Sequence, residues 1–198
     1  MAYLITHSLL SSWGYAMRDN PYEDLTNDED PWEEFLRVLR REPGKQSEAM
    51  TKGLDFEADV MRCVDGKEPK YPGAAAIADI VRGGVFQLSQ NLLLPISGMP
   101  ILLHGRLDVL KAGVIYDIKY SGKYERGKFI ESTQHPVYLE LIPEAREFTY
   151  LVSDMNAVWK ETYTREDTPS IIPIIQDFLA WLEMVGLDGD YRQHWVAL

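Results

Sequence analysis

The sequence predicts a mixed α/β domain, a central sheet flanked by helices, and three observations carry that prediction. Residues 103–109 and 114–119 sort into two faces with period two about Ala112-Gly113, the pattern of a half-buried hairpin. Residues 50–64 and 171–185 carry apolar side chains at three- and four-residue spacings, as amphipathic helices do. Residues 147–153 and 157–164 form two further strand-like runs joined by Asp154-Met155-Asn156, a segment with turn chemistry. At 198 residues and 45% hydrophobic, with no repeat, low-complexity tract or linker, the chain is expected to form one domain over residues 1–198.

Each element has its own signals. Pro31, Pro43 and Gly44 around residues 32–41 predict a helical insertion over 28–45. Ser47 can cap a helix that Asp65-Gly66 stops, with Met50, Leu54, Glu57, Met61 and Val64 as its stripe. Glu57 stands where the stripe expects an apolar residue, and a carboxylate on a buried face needs a partner: an arginine, the edge of the stripe, or a shared cation. Residues 75–82 read as a short helix closed by Gly83-Gly84, and 85–94 as a strand. In the hairpin, His104, Arg106 and Asp108 share one face and Leu103, Leu107 and Val109 the other; Asp117 and Lys119 project together. A two-residue turn at Ala112-Gly113 places Lys111 opposite Val114 and Asp108 opposite Asp117. Two carboxylates so close repel unless a cation joins them, and a hard divalent metal with oxygen ligands suits such a pair. The alternative is a surface hairpin with ordinary charges. Ser132 to Leu139 begins a helix in which Gln134 and Tyr138, four apart, share a face. Thr168-Pro169 can start the last helix, or Pro173 marks its true start; Ile171, Ile175, Phe178, Leu179, Leu182 and Val185 form its stripe and Gly186 ends it.

The ordered set Gly53-x-x-x-Glu57, Gly105-Arg106-Leu107-Asp108, Asp117-Ile118-Lys119 and Gln134-x-x-x-Tyr138 resembles the PD-(D/E)XK nucleases, specifically the RecB-type and lambda-exonuclease-type branch. The resemblance extends to Thr6-His7-Ser8-Leu9-Leu10, similar to the N-terminal S-x-S-x-L segment of RecB-type domains. It implies a restriction-endonuclease-like sheet and a metal-dependent DNA nuclease. Many RecB-type domains carry His where Glu57 stands; glutamate is closer to the lambda-exonuclease pattern. Several relatives hold an iron-sulfur cluster on four cysteines, and this chain has only Cys63, which excludes such a cluster. By the resemblance, Asp108, Asp117 and the Ile118 carbonyl would hold one or two Mg2+ or Mn2+ ions, with Glu57 binding a second ion or orienting water. Lys119 would lower the pKa of the attacking water and steady charge on the phosphate. Gln134 and Tyr138 would brace the site or touch the strand; otherwise they cap and pack their helix.

The net charge of −11 is unusual for a protein that holds DNA. The acid is uneven, however. Glu23, Asp24, Asp28, Glu29, Asp30, Glu33 and Glu34 crowd one stretch, expected to be solvated, whereas Lys111, Lys119, Lys123, Arg126 and Lys128 crowd the predicted site. Lys123, Arg126 and Lys128 are therefore candidate DNA contacts, and Tyr120 and Tyr124 candidate base-stacking platforms unless they pack locally. His104 shares the face of Asp108 and either touches metal or phosphate or serves as a hydrogen-bonded neighbour. His135 turns away from Gln134, and His7 and His194 have no readable context. Cys63 and the five tryptophans read as packing residues. No apolar run reaches membrane-spanning length and no basic, then apolar, leader opens the chain, so no membrane partner and a cytoplasmic location are expected. The expected role is an exonuclease in recombination, repair or phage DNA processing, with homo-oligomer, recombination or helicase partners left open. The alternatives are a partner-dependent end-processing nuclease, as in CRISPR adaptation or a helicase complex, and a non-catalytic binding protein on the same fold.

Overall fold

The strands β1 (Tyr3–Thr6), β2 (Val85–Ile96), β3 (Met99–Lys111), β4 (Val114–Tyr120), β5 (Glu147–Ser153) and β6 (Val158–Thr164) form one mixed sheet in the order β1-β3-β4-β5-β6, with β2 paired to β3 off that path. The structure is a computed structural model that describes residues 1–18, 30–44 and 47–197. Among these residues lie seven helices: α1 (His7–Ala16), α2 (Pro31–Leu39), α3 (Glu48–Val64), α4 (Pro72–Val81), α5 (Gln134–Leu141), α6 (Ile172–Val185) and α7 (Asp188–His194). β1 runs parallel to β3 and β4 parallel to β5, while β3–β4 and β5–β6 are antiparallel. The architecture is α/β, consistent with the restriction-endonuclease-like class. No helix among the described residues is long and apolar enough to cross a membrane.

The chain divides into two compact units, residues 1–44, 91–105 and 170–198 in one and 45–90 and 106–169 in the other. In the first, Thr6 caps α1 by accepting from Leu9 N at 3.3 Å, and Asp30 caps α2 by accepting from Trp32 N at 2.9 Å, with Pro31 in the first turn. The expected insertion over 28–45 thus contains a real helix; Asp28, Glu29 and Lys45, like Glu23 and Asp24 of the acidic stretch, lie outside the described residues. Trp13, Trp32, Phe35, Phe178 and Trp181 pack ring against ring, and Trp195 Nε1 donates to Leu39 O at 2.8 Å. The last long helix begins at Ile172 with Pro173 in its first turn and ends at Gly186 in the left-handed region, φ 75°. The short α7 that follows has no apolar period to betray it.

The second unit holds the predicted site, and its core joins Phe56, Val60 and Cys63 of α3 to Ala74, Ile77, Ala78 and Val81 of α4 and to Val109, Ile118 and Leu151 of the sheet. This corrects the stripe expected for α3. Ser47 caps the helix and Gly66 follows its end as expected, but Met50 and Leu54 are 58% and 57% exposed. The buried face lies one residue round, about 100°, because Asp59 can join it. Asp59 is 2% exposed and accepts from Lys70 N and Tyr71 N, both at 2.9 Å, and from Arg62 Nη1 at 3.3 Å. An aspartate so satisfied occupies a core position that a hydropathy pattern assigns to solvent. α4 starts at Pro72, ahead of the expected residue 75, and Gly84 follows it where a Cβ would meet Val109 Cγ1 at 2.6 Å. The hairpin register is as expected: Ala112 and Gly113 both have positive φ, 50° and 77°, as a type I′ turn requires, and Lys111 pairs with Val114.

Candidate active site

β3, β4, α3 and α5 each bring one part of the predicted set together. β4 is flanked by β3 on one side and β5 on the other, so its alternation sends Ile118 into the core and Asp117 and Lys119 to the opposite face. Asp117 is 5% exposed. Gln134, the first residue of α5, donates from Nε2 to Asp117 Oδ1 in a short hydrogen bond, and Lys119 Nζ stands 3.0 Å from Asp117 Oδ2. That buried Oδ2 takes no well-aligned hydrogen bond; its counter-charge is the lysine. Asp108 Oδ2 accepts the Ile118 N–H at 2.9 Å, which locks the two predicted carboxylate positions to one stretch of β4. Tyr138, one turn after Gln134, donates its hydroxyl to Arg106 O at 3.0 Å and so ties α5 to β3 two residues before Asp108. Gln134 thus steadies the Asp117 carboxylate and Tyr138 steadies α5 against β3.

The electrostatics follow from this crowding. Burial pushes the Asp108 carboxyl up to about 7, and the neighbouring Asp117 and Glu57 add to the push against the single Ile118 N–H. Burial also raises Glu57, with Asp117 the next cause, so Glu57 faces the same cluster although it does so from the edge of the α3 core face. Burial works against the Lys119 ammonium, but Asp117, Asp108 and Glu57 outweigh it and raise its pKa. Lys119 is therefore held as a cation, an electrostatic group rather than a base.

An all-oxygen set of three acids with excess negative charge, one of them carrying a buried oxygen without a hydrogen bond, fits a hard divalent cation by its chemistry. By position the fit is incomplete: among the described residues no three His, Cys, Asp or Glu side chains converge closely enough to hold an ion. Lys119 and Gln134 occupy Asp117 instead.

The other predicted residues divide. Tyr120 packs against the core cluster of its unit, and Tyr124 donates its hydroxyl to Glu161 Oε2 at 2.6 Å with its ring 5.5 Å from that of Trp159; both rings have local packing partners and stay partly exposed. Lys123, Arg126 and Lys128 lie on the segment between β4 and α5 and line a shallow depression with Glu125 and Gly127. His104 belongs to the first unit, where its Nδ1 pairs with Asn91 Oδ1 at 2.7 Å. His135 is buried and stacks on Tyr163 at 4.0 Å. Two further charged residues have partners that the sequence did not assign to them. Arg106, whose charge acts on Glu57, donates Nε to Gln87 Oε1 at 2.6 Å; its parity with Asp108 was the available signal. Glu161 has no local signal at all, since most of its partners are more than thirty residues away in sequence.

The chain is similar to the crystal structure of SSO0001, with a TM-score of 0.53 over 93% of this chain and 77% of that one, at 13% identity, which bears on the fold alone. No family model and no curated protein matches the chain.

Proposed function

We propose that this protein is a metal-dependent nuclease that hydrolyses phosphodiester bonds in DNA, acting as an exonuclease in recombination, repair or phage DNA processing. The observation that carries the reading is the pairing of a cationic lysine with an under-satisfied buried acid: Lys119 lies 3.0 Å from Asp117, with Asp108 and Glu57 close enough to hold the lysine charged and to have their own pKa values raised. A structural ion pair needs one acid; three acids on one lysine leave a charge deficit that a divalent cation fills. Asp108, Asp117 and the Ile118 carbonyl are the groups that would hold Mg2+ or Mn2+, with Glu57 available to a second ion or to a water. When bound, the metal supplies a water activated for attack and a counter-charge to the phosphate.

The chain's own residues do the rest. Lys119 stays protonated and presents its charge where the phosphorane-like oxygens gain negative charge. Gln134 fixes the Asp117 carboxylate through Oδ1; Oδ2, which faces Lys119, is the oxygen a cation would share; and Tyr138 holds α5 against β3 so that Gln134 keeps its place. A non-catalytic binding protein on the same fold is the second reading. It is favoured by the incomplete convergence of the acids and by Lys119 standing on Asp117. Cleavage of end-labelled linear duplex, single-stranded and closed-circular DNA with Mg2+ or Mn2+, beside EDTA and Asp117→Ala controls, separates the two. Loss of linear DNA alone marks the exonuclease, cut circles an endonuclease. A folded, metal-supplied protein that leaves all three intact defeats the reading for the protein acting alone.

A further inference from the structure

Residues 121–133 run from the Lys119 strand to the Gln134 helix, so both ends of this segment are tied to the predicted site. One side chain on β6 gathers most of the hydrogen bonds of its middle. Glu161, 8% exposed, accepts at Oε2 from Tyr124 OH at 2.6 Å and Gly127 N at 3.1 Å, and at Oε1 from Phe129 N at 3.2 Å and from Tyr163 OH. Burial favours the neutral acid, yet these four donors outweigh it and lower the pKa, so the carboxylate is charged. Gly127 has φ 86°, a conformation that glycine takes without strain, and it turns its N–H onto that carboxylate. Phe129 stacks on Tyr150 at 4.2 Å, and Lys128 Nζ donates to Ser121 Oγ at 3.0 Å, which donates to Lys123 O at 2.7 Å.

The order along the segment is informative. Residues 124, 127 and 129 are pinned to Glu161, while 123, 126 and 128, each just before one of them, are basic. Glu161 takes its bonds from tyrosine hydroxyls and backbone N–H groups, so the loop is held without spending its cations on the acid. Lys123 pairs with Glu125 at 3.3 Å, but both are exposed and such a pair yields readily to a phosphate.

We propose that Glu161 is a positioning residue that holds residues 121–131 as a preformed clamp for a sugar-phosphate backbone, with Lys123, Arg126 and Lys128 as its phosphate-facing cations. The clamp's use rests on the nuclease reading above; the latch itself does not. A loop ordered before binding loses less freedom on meeting the strand, so the latch raises affinity without touching the ligand.

Two measurements on Glu161→Gln test this, with Tyr124→Phe as a milder variant that removes one donor and keeps the ring packing. Limited trypsin digestion, mapped by mass, reads the latch: cutting after Lys123, Arg126 or Lys128 should quicken about tenfold in Glu161→Gln and less in Tyr124→Phe, with far-UV circular dichroism unchanged. Unchanged digestion of both variants overturns the latch. Binding of a short fluorescein-labelled single-stranded oligonucleotide in EDTA reads the clamp. Neutralising an acid beside three cations should tighten binding if charge alone matters; we expect affinity about fivefold weaker, with the salt slope unchanged, whereas Lys128→Gln should lower that slope by about one. Equal or tighter binding with a loosened loop overturns the clamp. Because EDTA binding needs no metal, a protein that binds but never cleaves counts against the nuclease reading alone.

Discussion

Glu161 and Asp108 are both sheet carboxylates of the same unit drawn out of water, and they have opposite chemistry. Glu161 meets four donors and its pKa falls; Asp108 meets one backbone N–H beside two other acids and rises to about 7. Asp59, the third case, is wholly buried and accepts from two backbone N–H groups and Arg62. Burial alone therefore does not mark a functional acid. What separates the groups is the balance of donors: folding satisfies Asp59 and Glu161 and leaves the Asp108–Asp117–Glu57 set short of them.

The largest effect that can break this comparison is on turnover. Lys119→Ala removes the cation paired with Asp117, and we expect cleavage to fall by about 10³-fold or more with the fold retained. Wild-type cleavage by Lys119→Ala would place the site elsewhere. The satisfied side is tested by stability. Asp59→Ala takes the acceptor from the Lys70 and Tyr71 N–H groups just ahead of α4 and leaves a gap at a buried position, so urea denaturation should show a loss of about 3 kcal/mol with no change in metal response. A loss under 1 kcal/mol would mean that water replaces the carboxylate and that donor balance is not the dividing line.

These same acids show how much of the molecule was legible in the sequence. The hairpin register was, because a two-residue turn at Ala112-Gly113 leaves one alignment and period two does the rest. The Gln134–Tyr138 face was, because four residues make one helical turn. The α3 face was not: Met50, Leu54, Met61 and Val64 keep helical spacing as well as Phe56, Val60 and Cys63 do, and the decision between them fell to Asp59, whose partners Lys70 and Tyr71 lie beyond the helix. Glu161 was not, because hydrogen bonds to a loop 32 to 37 residues away leave no trace in any local period.

Asp108→Asn sharpens the contrast with a smaller effect. The asparagine Oδ1 can still accept from Ile118 N, while the charge is gone. The sign follows from the raised pKa: between its ordinary value of 3.8 and about 7 the native state holds a proton that the unfolded chain releases, so this residue makes the metal-free protein less stable as pH rises through that window. Allowing for water that still reaches the group, Asp108→Asn should stabilise the metal-free protein by about 2 kcal/mol at pH 8, read from urea midpoints. If Mg2+ or Mn2+ then raises Tm in the wild type but not in the variant, the deficit belongs to a cation.

The smallest effect opposes it in nearly the same pH range. His135 is 3% exposed, stacked on Tyr163 and 3.3 Å from Tyr150 OH, and burial lowers its pKa to about 4. Here the unfolded chain takes up a proton that the native state refuses, so stability is lost as pH falls from above 6.5 towards 4, by about 1 kcal/mol at pH 6. In the wild type the two slopes partly cancel, and a flat pH profile would conceal both. His135→Phe keeps the ring stack and deletes the titration, so its metal-free stability should decline steadily from pH 4 to 7, whereas Asp108→Asn should climb over the same range. Parallel profiles for the two variants would show that neither burial sets the charge state, and the division between satisfied and deficient groups would lose its electrostatic basis.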